Sequence, residues 1–143
     1  PGEGWGESPL EERSRRSIYI HVKRTLLLPL LTAFDFPDVD ASCEARFVTT
    51  QPQQSLSMLN GTFFNEQAKH LANLVMKTVG EDQEKQIGQA IQLGLGREAT
   101  KEEISAGLDL VGRLQHNHGQ TPEVALRYWC LAVLNLNEFV YLD

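Results

Sequence analysis

Between Phe64 and Leu136, apolar residues recur every three or four positions, and each run is bounded by residues that start or stop helices. That period places them on one face of a helix, and the face is wide enough to pack against neighbours instead of pairing in a strand. From Phe64 the stripe is Ala68, Leu71, Ala72, Val75 and Val79, closed by Gly80. Glu84 to Leu95 carries Ile87, Ala90, Ile91, Gly94 and Leu95. Thr100 and Glu103 have the spacing of a capping box, ahead of Ile104, Leu108, Val111 and Leu114, with a stop near His118–Gly119. Thr121–Pro122 starts a last long helix, which places Ala125, Tyr128, Trp129, Ala132, Val133 and Leu136 inward and exits through Asn137–Glu138–Phe139.

The N-terminal third is less regular. Residues 1–14 are rich in Gly, Glu and Ser and read as a tail that frays or wraps, with Trp5 as its anchor. Ile18, Ile20 and Val22 alternate like a strand, while Ile18, Val22 and Leu26 also fit a helix; helix is favoured because no partner strand of similar quality exists. Leu27–Phe34 reads as a short helix that stops before Pro37, followed by a long ordered loop. Thr50 caps a further helix that tolerates Pro52, shows Leu56 and Leu59 on one face and ends at Asn60–Gly61. The expected fold is all-α: an irregular bundle of about five to six helices, with 15–143 as a single helical domain behind the 1–14 tail.

At 143 residues, with 41% hydrophobic and 22% charged side chains, the chain can bury one substantial core. A net charge of −6 argues against nucleic acid as a partner, because phosphate neutralisation needs a basic face. No apolar run approaches the ~18 residues of a membrane span. The start at PGEGWGESP, without Met, reads as a cut from a longer protein. Cys43 and Cys130 allow at most one disulfide; independent thiols are the favoured alternative, with Cys130 acting as a small core hydrophobe.

Chemistry-bearing residues crowd the segment from Arg15 to Asn60. Arg15, Arg16, Asp35, Asp38, Arg46 and Gln54 form the candidate binding set: guanidinium forks for anionic groups, carboxylates and an amide for sugar hydroxyls. The competing reading, which is favoured, is that these groups tie down irregular backbone. Trp5, Tyr19, Phe34, Phe36, Phe47, Phe63, Phe64, Trp129, Phe139 and Tyr141 could in part form a sugar-stacking platform, although most aromatics at helical spacing are core. His116 and His118 in HNHG are two residues apart with no third ligand at metal spacing, so Gly119 reads as a helix stop and no metal is expected. GLGREAT lacks the lysine of a phosphate loop; Gly94 and Gly96 read as a close packing contact and a helix end. Neither Ser17 nor Cys43 lies in a nucleophile motif, and the residues lean against an enzyme.

GWGESPLEE, RRSIYIHVKRT, FDFPD, SCEARFVTTQPQQSLSMLN, GLGREATKEE and LNLNEFVYLD occur in that order. Together they resemble a C-terminal domain of unknown function found in large exported proteins of planctomycetes and related bacteria. The likeness runs from about Gly4 to the end, departing at Gln51 and Gln53, where small or apolar residues are more usual. The resemblance implies an exported location and a cytochrome c domain, hence haem, elsewhere on the same polypeptide, with no cofactor in this domain. It implies no reaction. The expectation is a structural or interaction module whose partners are the other domains of its polypeptide. The alternative is a share in a polysaccharide-active, haem-linked enzyme, with carbohydrate as the partner of the polar set.

Overall fold

In this computed structural model the described residues are Pro9, Arg15, 17–19, 29–37 and 52–141. Contacts divide the chain into two compact units, Pro1–Thr49 and Thr50–Asp143. Among the described residues there are seven α-helices and no strand, so the all-α expectation holds. The expected 1–14 tail boundary, the Thr50 cap and most of the long loop fall outside the described residues.

In the first unit, Ser17–Tyr19 forms one turn of 3-10 helix and α1 spans Pro29–Ala33. The end of α1 has a definite cause. Phe36 N–H donates to the Leu31 carbonyl at 3.0 Å, and Asp35 N–H donates to the Thr32 carbonyl at 3.3 Å. That nested pair is a Schellman stop, which needs a left-handed residue at the position Asp35 fills with φ 54°. Asp tolerates this conformation better than most side chains, and Pro37 then prevents the helix from resuming.

The second unit is built around one helix. α2 (Pro52–Asn60), α3 (Thr62–Val79), α4 (Gln83–Leu95), α5 (Lys101–His118) and α6 (Pro122–Leu134) follow one another, and α7 (Asn137–Val140) is a single turn. α6 packs against α3, α4 and α5. Surrounded in this way, it buries Ala125, Leu126, Trp129, Cys130, Leu131, Val133 and Leu134, more than one stripe can hold. The expected inward face of α6 is therefore corrected: Tyr128 and Leu136 are exposed, and Leu126, Leu131 and Leu134 are core. Leu108 on α5 and Leu56 and Leu59 on α2 are also exposed; α2 buries Gln54 and Met58 instead, one turn apart.

Small residues let the helices approach. Ala68, Ala72 and Val75 give α3 a low ridge. On α5, a Cβ at Gly107 would stand 2.6 Å from Ile87 Cγ2 and 3.1 Å from the Trp129 ring, so only glycine lets α5 meet α4 and α6 there. Trp129 Nε1 donates to the Ile87 carbonyl at 3.3 Å and ties α6 to α4 beside that contact. A Cβ at Gly94 would come 2.8 Å from Val133 Cγ1, the packing role expected of it.

The helix ends follow the sequence signals. Thr100 Oγ1 accepts from Glu103 N–H at 3.2 Å while Glu103 accepts from Thr100 N–H at 2.8 Å, completing the capping box. Thr121 Oγ1 accepts from Val124 N–H ahead of Pro122. Gly96 and Gly119 close α4 and α5 in the left-handed conformation.

Candidate functional site

The second unit carries an apolar groove of about 420 Å³. Its floor and one wall come from α3, where Phe63, Gln67, His70 and Leu74 recur at intervals of three or four and so share one face. That face is turned away from the buried Ala68–Ala72–Val75 ridge. Phe64 and Leu71 lie between the two faces, half-buried against the core. α4 contributes Leu93 and Gly94, α6 contributes Leu134, and α7 contributes Phe139.

Four of these side chains are large, apolar and open to solvent: Phe63 is 45% exposed, Leu74 49%, Leu93 44% and Phe139 41%. Single exposed apolar residues are ordinary, but four converging on one groove mark a contact surface. Full burial of such a side chain stabilises by about 1.5–3 kcal/mol, so covering the exposed half of each leaves roughly 1 kcal/mol per residue to a partner. Phe63 and Phe64, both on the lining, meet edge to face with ring centroids 5.5 Å apart. Gln67 and His70 are the groove's polar groups.

Beside the groove stands an ion cluster. Arg97 Nε and Nη2 each donate to Glu138 at 2.8 Å, and Nη1 and Nη2 donate to Glu103 at 2.9 and 2.7 Å. Nη1 also donates to the Glu98 carbonyl at 3.1 Å, so all five guanidinium N–H groups are engaged. The Arg97 fork and the Thr100 N–H hold the Glu103 carboxyl down at about 2. Arg97 likewise lowers Glu138, and the two carboxylates raise Arg97. The cluster joins the start of α5 to α7 across the α4–α5 connection. Sequence reasoning saw only the capping role of Glu103; the Arg97–Glu138 pairing spans 41 positions and has no local signature.

The candidate binding residues are distributed as follows. Arg15 is exposed at a bend in the first unit, and Asp35 is the half-buried left-handed stop of α1. Gln54 is 4% exposed in the second unit, where its Oε1 accepts from the Tyr141 hydroxyl at 2.8 Å and so ties α2 to the chain after α7. Arg16, Asp38 and Arg46 lie outside the described residues. The structure thus gives Asp35 and Gln54 scaffold contacts.

Cys130 is a free, fully buried thiol, and burial pushes it up to about 12. Cys43 lies outside the described residues. Among the described residues, no three His, Cys, Asp or Glu side chains come together as a metal site, and His116 Nδ1 lies 2.8 Å from the Gly112 carbonyl on its own helix. No helix among them is long and apolar enough to cross a membrane.

No curated protein and no solved structure matches the chain. A family model does match, over residues 1–111, from the first unit into α5. It is described as PSD1, a protein of unknown function (DUF1553), and the chain belongs to that family.

Proposed function

We propose that the helical unit is a structural and interaction module of a larger exported multidomain polypeptide, and that its groove seats an apolar segment of a neighbouring domain of that polypeptide. The observation that carries this reading is the convergence of Phe63, Leu74, Leu93 and Phe139 on one groove while the core behind them is already complete. The exposed half of each of these side chains adds nothing to the unit's own stability, and its burial would drive association. The export and the haem-bearing neighbour come from the family resemblance, and the module itself binds no haem. Its part is to hold its neighbours in place.

The test is Leu74→Asp in the full-length polypeptide. Leu74 is half exposed, so the isolated helical chain keeps its circular dichroism and loses only about 1–2 kcal/mol of stability. Docking in the groove requires the variant to loosen the neighbouring domain, read as faster proteolysis at the domain boundary. Unchanged proteolysis would refute the reading.

One observation favours a second reading. Phe63 and Phe139 are half-exposed aromatic residues lining the groove, with Gln67 and His70 as its hydrogen-bonding groups, a composition that also suits a sugar ring. On that reading the module takes part in a polysaccharide-active enzyme. Calorimetric titration with oligosaccharides would show heat that Phe63→Ala abolishes; no heat with the native chain ends it.

A further inference from the structure

Asn60–Gly61 is the one Asn–Gly pair in the chain, and it forms the joint between two helices. Asn60 is the last residue of α2 and is exposed. Gly61 is extended, at φ −68° and ψ 135°, and α3 begins at Thr62. Two sets of hydrogen bonds close the joint. Gly61 N–H donates to the Ser57 carbonyl at 2.8 Å, carrying the ladder of α2 past its end. From the first turn of α3, the Asn65 side-chain amide donates to the Leu59 and Gly61 carbonyls, each at 3.1 Å, and so holds the backbone on both sides of Asn60. A Cβ at position 61 would collide with the Ser57 carbonyl oxygen, so the joint takes this form only with glycine.

The same two residues are a reactive pair. The amide carbon of an asparagine side chain is an electrophile, and the backbone nitrogen of the next residue reaches it by closing a five-membered ring. Glycine as that next residue has no side chain to obstruct the closure. The Gly61 nitrogen gives up its proton and bonds to Asn60 Cγ, the Cγ–Nδ2 bond breaks, and ammonia leaves with that proton. Water then opens the succinimide at either carbonyl and leaves aspartate or isoaspartate. In the closed joint the nucleophile is occupied, because its N–H is bound to Ser57, and the helical backbone at Asn60 holds the peptide away from the ring-closing rotation.

We propose that Asn60 is a deamidation site gated by the α2–α3 joint: it converts without an enzyme, only while Gly61 N–H is released from Ser57, and Asn65 sets how often that happens. Elements with few buried contacts open locally while the rest of a domain stays folded, and α2 buries Gln54 and Met58 while Leu56, Leu59 and Asn60 are exposed. Asn65, Asn73, Asn117, Asn135 and Asn137 precede Glu, Leu, His, Leu and Glu, whose side chains hinder the ring. Conversion at Asn60 loosens the joint. Either product places a carboxylate at the C-terminal end of α2, where the helix dipole opposes it. Isoaspartate also lengthens the main chain by one carbon and draws Gly61 N–H off the Ser57 carbonyl.

The test incubates the whole chain at neutral pH beside a peptide of residues 55–66, too short to hold a helix, and reads each asparagine by peptide mapping and isoaspartate-specific methylation. The native chain should convert at Asn60 ahead of every other asparagine, yet about tenfold or more slower than the peptide, since the Gly61 bond and the Asn65 pair must open first and each is worth several-fold. Asn65→Ala should speed conversion several-fold. Urea below the unfolding transition should raise Gly61 amide exchange and Asn60 conversion in parallel, a readout that stands even if the variant does not fold. Conversion of the native chain at the peptide's rate overturns the proposal, as does conversion led by another asparagine or none at all. So does a folded Asn65→Ala chain that converts at the native rate, or Gly61 exchange that rises while Asn60 conversion does not.

Discussion

Two glycines on α5, five residues apart, should respond to alanine with opposite signs. At Gly107 the new methyl would lie 2.6 Å from Ile87 Cγ2 and 3.1 Å from Trp129 Cε2 and Cζ2. Carbon atoms rest about 3.5–4.0 Å apart, so something must move by several tenths of an ångström. Little can: Ile87 is 1% exposed, and the Trp129 ring is fixed by its bond to the Ile87 carbonyl. Overpacking of this kind costs about 1–3 kcal/mol, while replacing glycine by alanine inside a helix returns about 1 kcal/mol. Gly107→Ala should therefore lose up to about 2 kcal/mol, toward the upper end because neither neighbour can yield. At Gly112 a Cβ meets nothing within 4 Å, so Gly112→Ala should gain up to about 1 kcal/mol from the same change in propensity. The pair should thus differ by the overpacking cost itself, roughly 1–3 kcal/mol, which for a unit of this size separates their melting temperatures by on the order of 10 °C. Urea denaturation followed by circular dichroism reads the difference directly. A Gly107→Ala chain as stable as the native one would mean that α4, α5 and α6 do not meet at that point.

Glu103 contributes stability that is fully present above its ordinary 4.5 and is lost as pH falls through about 2, because its folded carboxyl is the more acidic one. Glu103→Gln keeps an acceptor for Thr100 N–H but removes the charge, so the acid unfolding curve of the variant should lose part of its slope between those values. In a Cys43→Ala background, Cys130 should react with a thiol reagent only as fast as the unit opens, since a thiolate pushed up to about 12 in a fully buried site has no other route. Labelling that outruns core amide exchange would refute the burial. Asp35→Ala should be less stable than Asp35→Gly by about 1 kcal/mol, because both remove the carboxylate and only the φ of 54° separates them; thermal melts of the two variants decide it.

The parts of this fold that could be read from sequence are those fixed locally. Thr100–Glu103, Thr121–Pro122 and Gly119 act within one turn of themselves, and each stands where its spacing places it. The α3 and α4 stripes were equally legible, since those helices have one buried side. α6 was not: enclosed by three helices, it buries residues around most of its circumference, and a search for one stripe assigns Tyr128 and Leu136 inward while missing Leu126 and Leu134. Contacts between distant positions left no trace either. Gln54 stands in the candidate polar set, but nothing local announces that its Oε1 accepts from the Tyr141 hydroxyl, 87 positions away. The groove had a weak signal that went unused. Phe63 and Leu74 lie off the core stripe of α3, and large apolar residues on the outer face of an otherwise ordinary amphipathic helix ask for a partner.

Whether the groove seats a neighbouring domain can be decided by one nuclear magnetic resonance titration of the labelled chain with that domain, produced separately from the same polypeptide. Docking in the groove predicts saturable shifts at Phe63, His70, Leu74, Leu93 and Phe139, with the outer face of α5 around Asp109 and Arg113 silent. Shifts confined to α5, or none at saturating concentration, would contradict it.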